Sequence, residues 1–240
     1  MNERTAVRSG GLAITNPKIM LFALLLVYIL NFLDRQIINI LAEPIKGELG
    51  LSDTQLGLLA GPAFAVFYAV LGIPIARYAD NAKTNRVWLI SICLAIWSAM
   101  TAICGFAQNF AQLALARIGV GVGEAGCTPA AHSLIADSVP PEKRSSAIAF
   151  FGLGIPIGGL LGLIIGGVVN DQYGWRMALM LVGMPGILLA FILPLLIRDP
   201  RRCADSAHFN TADTPVKPKL SIKDAVREVF ASKAYLYVFI

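Results

Sequence analysis

The sequence predicts an all-α integral membrane protein, and three observations carry that prediction. Of the 240 residues, 56% are hydrophobic and only 15% are charged, against roughly 45–50% and 25% in soluble domains. The apolar residues gather in runs long enough for a bilayer core, which needs about 20 residues of helix. Lys and Arg fall mostly in alternate connections between the runs, the pattern that sets membrane orientation.

Six runs meet the length criterion. The first, residues 19–41, is interrupted only by Asn31, Asp34, Arg35, Gln36 and Asn39. The second, 56–76, carries kink signals at Pro62 and Pro74. The third is 87–106, the fourth 110–136, the glycine-rich fifth 148–169 and the sixth 177–197. The expected organisation is therefore a tail over 1–18, a six-span bundle over 19–197 and a polar linker over 198–219. An amphipathic helix over 220–231 follows, with Ser221 and Asp224 as its capping box, and 232–240 begins a seventh span. This last helix lies on the membrane surface or extends the seventh span; the residues fit both.

One side of the bundle receives Arg4, Arg8, Lys18, Arg77, Lys83, Arg86, Lys143, Arg144, Arg198, Arg201 and Arg202, the other only Lys46 and Arg176. The positive-inside rule places the N-terminus in the cytoplasm, with the bundle in a plasma membrane (the inner one if bacterial). The net charge of +5 is then a topology signal, and nucleic acid is not an expected partner. With a polar start and a first run too long for an h-region, no cleavable signal peptide is expected. Cys93, Cys104, Cys127 and Cys203 show no paired spacing, so no disulfide framework, metal or cofactor is expected.

An ionisable side chain at mid-bilayer costs about 2.5–3.5 kcal/mol on insertion scales, so it is retained mainly where it is used. Asp34 and Arg35 in span 1 and Arg117 and Glu124 in span 4 qualify. Their alternative role is a buried ion pair that only fixes packing. At about 1.5 Å rise per residue, Arg117 on a descending helix and Asp34 on an ascending one reach similar depths, so the two can pair. Glu124 falls two turns below Arg117 on nearly the same face. Desolvation favours a neutral carboxyl and a neighbouring arginine favours the charged form, so an arginine moving between two carboxylates switches proton affinity. Asp34, Glu124 and Arg117 are the expected proton-coupling residues. Asn31, Arg35, Gln36, Arg117, Glu124 and Thr128 are the expected substrate contacts. His132 reads as a satisfied residue near a helix end. The charged helices are also the first of each group of three spans, the placement found in transporters built from inverted repeats.

Gly121, Gly123 and Gly126 match the dinucleotide fingerprint by letter, but that motif needs a preceding strand, and here it lies in a membrane run. The glycines are expected to leave Glu124 accessible to a cavity. In span 5, Gly154, Gly158, Gly162 and Gly166 recur every fourth residue and make a smooth packing face, with a bend expected at Pro156.

Along essentially its whole length the chain resembles the major facilitator superfamily. The stretch Ala76-Arg77-Tyr78-Ala79-Asp80-Asn81-Ala82-Lys83-Thr84-Asn85-Arg86 keeps Asp80 and Arg86 of the family's loop motif. Arg117-Ile-Gly-Val-Gly121-Val-Gly123, Gly154-Ile-Pro156-Ile-Gly158-Gly159 and Gly174-Trp175-Arg176 are similar to its motifs in spans 4, 5 and 6. Asn31-Phe32-Leu33-Asp34-Arg35 and Met184-Pro185-Gly186 resemble the spinster branch, although the first element also occurs in organic anion–cation symporters. The resemblance implies the N-terminal six-helix half of a major facilitator fold, a 3+3 inverted repeat whose C-terminal half is a missing partner. It also implies a cytoplasmic latch at Asp80, Arg86 and Arg144.

The expected function is proton-coupled secondary transport of an amphiphilic, lysolipid- or sphingoid-like substrate by rocker-switch motion. An organic anion:proton symporter of the same superfamily is the alternative. Membrane lipids, protons and an amphiphilic or anionic small molecule are the expected partners. A membrane-embedded lipid-modifying enzyme would need a nucleophile or metal cluster beside a base, and the sequence offers only scattered Ser with His132 and His208. The chain is therefore not expected to be an enzyme.

Overall fold

The computed structural model describes residues 16–202. The expected tail up to residue 15, the linker from residue 203, the surface helix and the seventh span lie outside the described residues. Span 1 is α1 (Pro17–Ile40), started by Pro17 and capped by Asn16, whose Oδ1 accepts from the Lys18 amide at 3.0 Å. A short α2 (Ala42–Leu49) ends on Gly50, whose φ of 62° lies in the left-handed region. Span 2 is α3 (Asp53–Ala60), closed by a Ser52–Gln55 capping box, followed by α4 (Pro62–Asp80). Span 3 is α5 (Arg86–Cys104).

Span 4 is divided into α6 (Phe110–Glu124) and α7 (Cys127–Ser138). The division follows from Pro129, which lacks the N–H that would close a helical bond to the Ala125 carbonyl. Glu124 is thus the last residue of α6. Span 5 comprises α8 (Pro141–Gly152) and the first part of α9 (Gly154–Leu196). The one-residue interruption at Leu153 lies where Pro156 frees the Gly152 carbonyl, close to the expected bend. Inside α9, Gly174 at φ 81° and ψ 164° separates span 5 from span 6.

The helices associate in a pattern with an internal symmetry. Span 1 packs on span 5, span 4 on span 2, and span 3 on span 6. Exchanging spans 1, 2 and 3 with 4, 5 and 6 maps the first pair onto the second and the third onto itself, which is the signature of a 3+3 repeat. Glycine seats each pair. A Cβ at Gly158 would overlap the Ile29 carbonyl oxygen and stand 2.9 Å from Phe32 Cβ. A Cβ at Gly121 would stand 2.7 Å from the Phe64 carbonyl oxygen, and one at Gly183 2.5 Å from that of Ser98. Gly154, Gly162 and Gly166 also face span 1, so the four-residue stripe is its docking face.

Large apolar side chains such as Val70, Ile73, Leu160, Leu188, Phe191 and Leu195 remain exposed on the outer faces. So much uncovered hydrocarbon marks a surface meant for lipid or another apolar partner rather than water.

Gly158→Ala is expected to destabilise the bundle by about 1–3 kcal/mol through overpacking. Gly159→Ala is expected to be silent, because nothing lies within 4 Å of a Cβ there. Thermal melts of the detergent-purified protein compare the two.

Candidate functional site

Four charged side chains converge between spans 1 and 4, but their pairing differs from the expected one. Arg35 Nε donates to Glu124 Oε2 at 2.7 Å, joining the first helices of the two repeats. Asp34 does not form an ion pair with Arg117. Its Oδ2 accepts from the Thr101 hydroxyl of span 3 at 2.6 Å. The reason is rotational: successive residues on a helix point about 100° apart. Asp34 therefore faces span 3, while Arg35 faces spans 2 and 4. Depth along the axis fixes the level of a side chain, not its direction.

Glu124 is fully enclosed, contrary to the expectation that its glycines would open it to a cavity. Those glycines draw neighbours in. A Cβ at Gly123 would stand 2.6 Å from the Trp97 amide nitrogen, and one at Gly126 2.7 Å from Cys93 Sγ. Among the four charges only Arg35 keeps appreciable exposure, at 28% of its side chain.

Aromatic faces complete the site. The Arg35 guanidinium carbon lies 5.2 Å from the Phe32 ring centroid, 5.0 Å from Phe64 and 4.7 Å from Tyr68. These are cation–π distances. Arg117 is 2% exposed, stands 5.6 Å from the same Phe64 ring, and its Nε and Nη1 have no hydrogen-bond partner. One oxygen each of Asp34 and Glu124 is likewise unpartnered. Asn31 is buried on the same helix as Asp34, while Gln36 is exposed with its Cβ toward Gly162. Thr128 is half-buried just beyond the break in span 4. His132 is exposed, its ring edge-on to Phe151 at 5.5 Å. Sequence reading missed Thr101, Phe64 and Tyr68. A lone hydroxyl in span 3 and aromatics in an apolar run carry no signal until the helices are placed.

The basic end of the bundle holds a second cluster, built differently from the expected latch. Arg86 is fully buried; its Nε and Nη2 donate to Asp199 at 3.0 and 2.5 Å, and its Nη1 donates to Asp137 at 2.7 Å and to the Ser133 carbonyl at 2.8 Å. Arg201 Nε reaches the same Asp137 oxygen at 2.7 Å. Asp80 is exposed, and Arg144 donates to the Val139 carbonyl at 3.1 Å; among the described residues the two form no ion pair. The network ties span 3 to span 4 and to the end of span 6. Burial pushes the Asp199 carboxyl upward, but the hydrogen bonds and charge of Arg86 and the Arg201 amide outweigh it and hold the group below the usual carboxylate range. At the opposite end Glu48 accepts from the Trp175 indole at 2.5 Å and from Arg176 Nε at 2.9 Å. Those two donors, the indole first, hold its carboxyl low.

A bundle of apolar helices in a 3+3 repeat, with charges on the first helix of each repeat, defines an integral membrane protein of the major facilitator type. The description "Major Facilitator Superfamily" matches residues 24–240, and the chain belongs to that family. It is 41% identical over 174 residues to an MFS-type efflux pump of Mycolicibacterium smegmatis, covering 72% of this chain and 40% of the relative. It is 31% identical over 205 residues to protein spinster of Drosophila melanogaster, covering 84% and 32%. The crystal structure of a bacterial homolog of the human lysosomal transporter Spinster, inward-facing and unoccupied, superposes with a TM-score of 0.76 at 40% identity, covering 90% of this chain and 49% of that one. The chain thus spans less than half the length of these relatives.

Asp199→Asn is expected to destabilise by about 3–5 kcal/mol, since it leaves Arg86 charged, buried and short of its partner. Because the Asp199 carboxyl is held low, its contribution is present above the ordinary carboxylate value and is lost only as pH falls through the lowered one. Melting temperatures measured between about pH 5 and 8 should therefore show a constant gap between Asp199→Asn and the parent.

Proposed function

We propose that the chain forms one half of a proton-coupled secondary transporter of an amphiphilic, lysolipid- or sphingoid-like substrate, working by rocker-switch motion. The observation that carries this reading is the pair of enclosed carboxylates, Asp34 and Glu124, on the first helices of the two repeats, each with one oxygen unpartnered. A buried charge is costly unless it is paired, so each carboxylate is a ready proton acceptor when its partner moves. Protonation of Glu124 removes the charge that holds Arg35, the one cation of the site with exposure to a passing ligand. The proton and the substrate then compete for the same arginine. Similarity to an MFS-type efflux pump supports transport, and a lipid-like cargo is what the resemblance to the spinster branch implies.

The unpartnered Nε–H and Nη1–H groups of Arg117 support an anionic head on that cargo, since guanidinium is suited to bidentate carboxylate or phosphate recognition. They favour equally the second reading, an organic anion:proton symporter. In either case a second bundle, for which the greater length of the relatives leaves room, closes the cavity, and the membrane is a plasma membrane with the N-terminus in the cytoplasm.

Spin-label distances across the basic face of the full-length transporter, followed from about pH 5 to 8, test the coupling. Asp34→Asn and Glu124→Gln are each expected to abolish most of the pH-dependent change in opening. If both variants keep the parent's response, the proton role is wrong.

A further inference from the structure

Phe64 has a position that carboxylate chemistry alone does not explain. It stands in the first turn of α4, immediately after the span 2 break at Gly61, whose φ and ψ are −120° and −85°. Its ring is shared by two arginines from different helices, Arg35 at 5.0 Å and Arg117 at 5.6 Å. Like charges repel strongly where water is excluded. An aromatic face carries negative quadrupole density, so a ring within cation–π reach of two guanidiniums offsets part of that repulsion.

The two arginines depend on it unequally. Arg35 also has Phe32, Tyr68 and the Glu124 carboxylate. Arg117 has the Phe64 face and feels the nearby Asp34 and Glu124 charges, but its Nε and Nη1 hydrogen-bond to neither. The ring's backbone is seated on Arg117's own helix, because the Phe64 carbonyl oxygen occupies the space a Cβ at Gly121 would need. Gly121 is four residues from Arg117, one turn along the same face. Span 2 therefore meets span 4 twice at this level, once through the Phe64 backbone at Gly121 and once through its ring at Arg117.

We propose that Phe64 is a positioning residue that retains Arg117 on its ring face, so that Arg35 alone reaches Glu124. This rests on the proton-coupled reading above. Without the ring face, Arg117 competes for Glu124 and holds it in the charged form, so that release of Arg35 is no longer tied to protonation. The ring acts through its electrons and not only its volume, which separates this role from simple packing.

The test replaces Phe64 in the full-length transporter by Leu, by Trp, and by 4-fluoro-, 3,5-difluoro- and 3,4,5-trifluorophenylalanine, which keep the ring's shape while draining its face. The first readout is the amplitude of the pH-dependent spin-label distance change. Phe64→Leu is expected to reduce it about threefold or more, Phe64→Trp to preserve it, and the fluorinated rings to reduce it in order of fluorine count. Gly121→Ala, which displaces the Phe64 backbone, is expected to resemble Phe64→Leu. The second readout is the Nε–H signals of Arg35 and Arg117 in 15N-arginine-labelled protein, assigned by Arg→Lys variants, where both signals are expected to move with fluorine count. A parent-like response in Phe64→Leu, or in the trifluorinated ring, overturns the proposal. If the parent itself shows no pH response, the proton-coupled reading falls, and the Nε–H signals decide the ring's role alone. An Arg117 signal unmoved by fluorination overturns it.

Discussion

The close approach of helix backbones at glycine is the constraint on which the rest of this structure depends. In lipid no hydrophobic force drives one apolar helix onto another, so association relies on contact and on the few polar groups between helices. Gly154, Gly158, Gly162 and Gly166 let span 1 lie against span 5 with backbone atoms at the surface. Gly121 does the same between spans 4 and 2, and Gly183 and Gly186 between spans 6 and 3. Spacings this short leave little freedom in register. They settle which face of span 1 is turned toward span 4, and hence that Arg35 reaches Glu124.

The fold was legible in the sequence for a related reason. Run length and charge placement respond to the bilayer, a solvent of known thickness, and require no knowledge of neighbours. The break in span 2 and the bend in span 5 were also readable, because proline removes a donor wherever it sits. The site was legible only as a set of residues. Asp34, Arg35, Arg117 and Glu124 do converge, since charges in lipid must face inward. Their pairing was not legible, because it depends on helix rotation. Asp34 and Arg35 are adjacent in the chain yet serve different neighbours, Thr101 in one case and Glu124 with three aromatic rings in the other.

The basic-end cluster shows the opposite error. Asp80, Arg86 and Arg144 were read from motif letters; Arg86 is the buried cation of that end, but among the described residues neither Asp80 nor Arg144 bonds to it. A fully buried guanidinium needs acceptors for most of its N–H groups. Asp80 is exposed, whereas Asp137 and Asp199 stand within hydrogen-bond reach of the Arg86 head. Burial decides between candidate partners where spacing alone cannot.

Comparing the two ends with the middle gives the bundle a mechanical character. At the basic end Arg86, Asp137, Asp199 and Arg201 share a closed set of charge-assisted bonds, and at the other end Glu48, Trp175 and Arg176 tie α2 to span 6. Arg176 also donates to the Gly105 and Ala107 carbonyls, fastening the connection between spans 3 and 4. These two clusters fasten spans 3, 4 and 6 to one another and to α2. The centre is bonded sparingly: one ion pair, one hydroxyl on Asp34, and an arginine held over a ring. The densely bonded charges therefore lie at the two ends, and the sparsely bonded ones lie between them. In the proposed transport cycle the central pairing is the part that changes, because the buried carboxylate and guanidinium atoms without partners, among the described residues, all stand there.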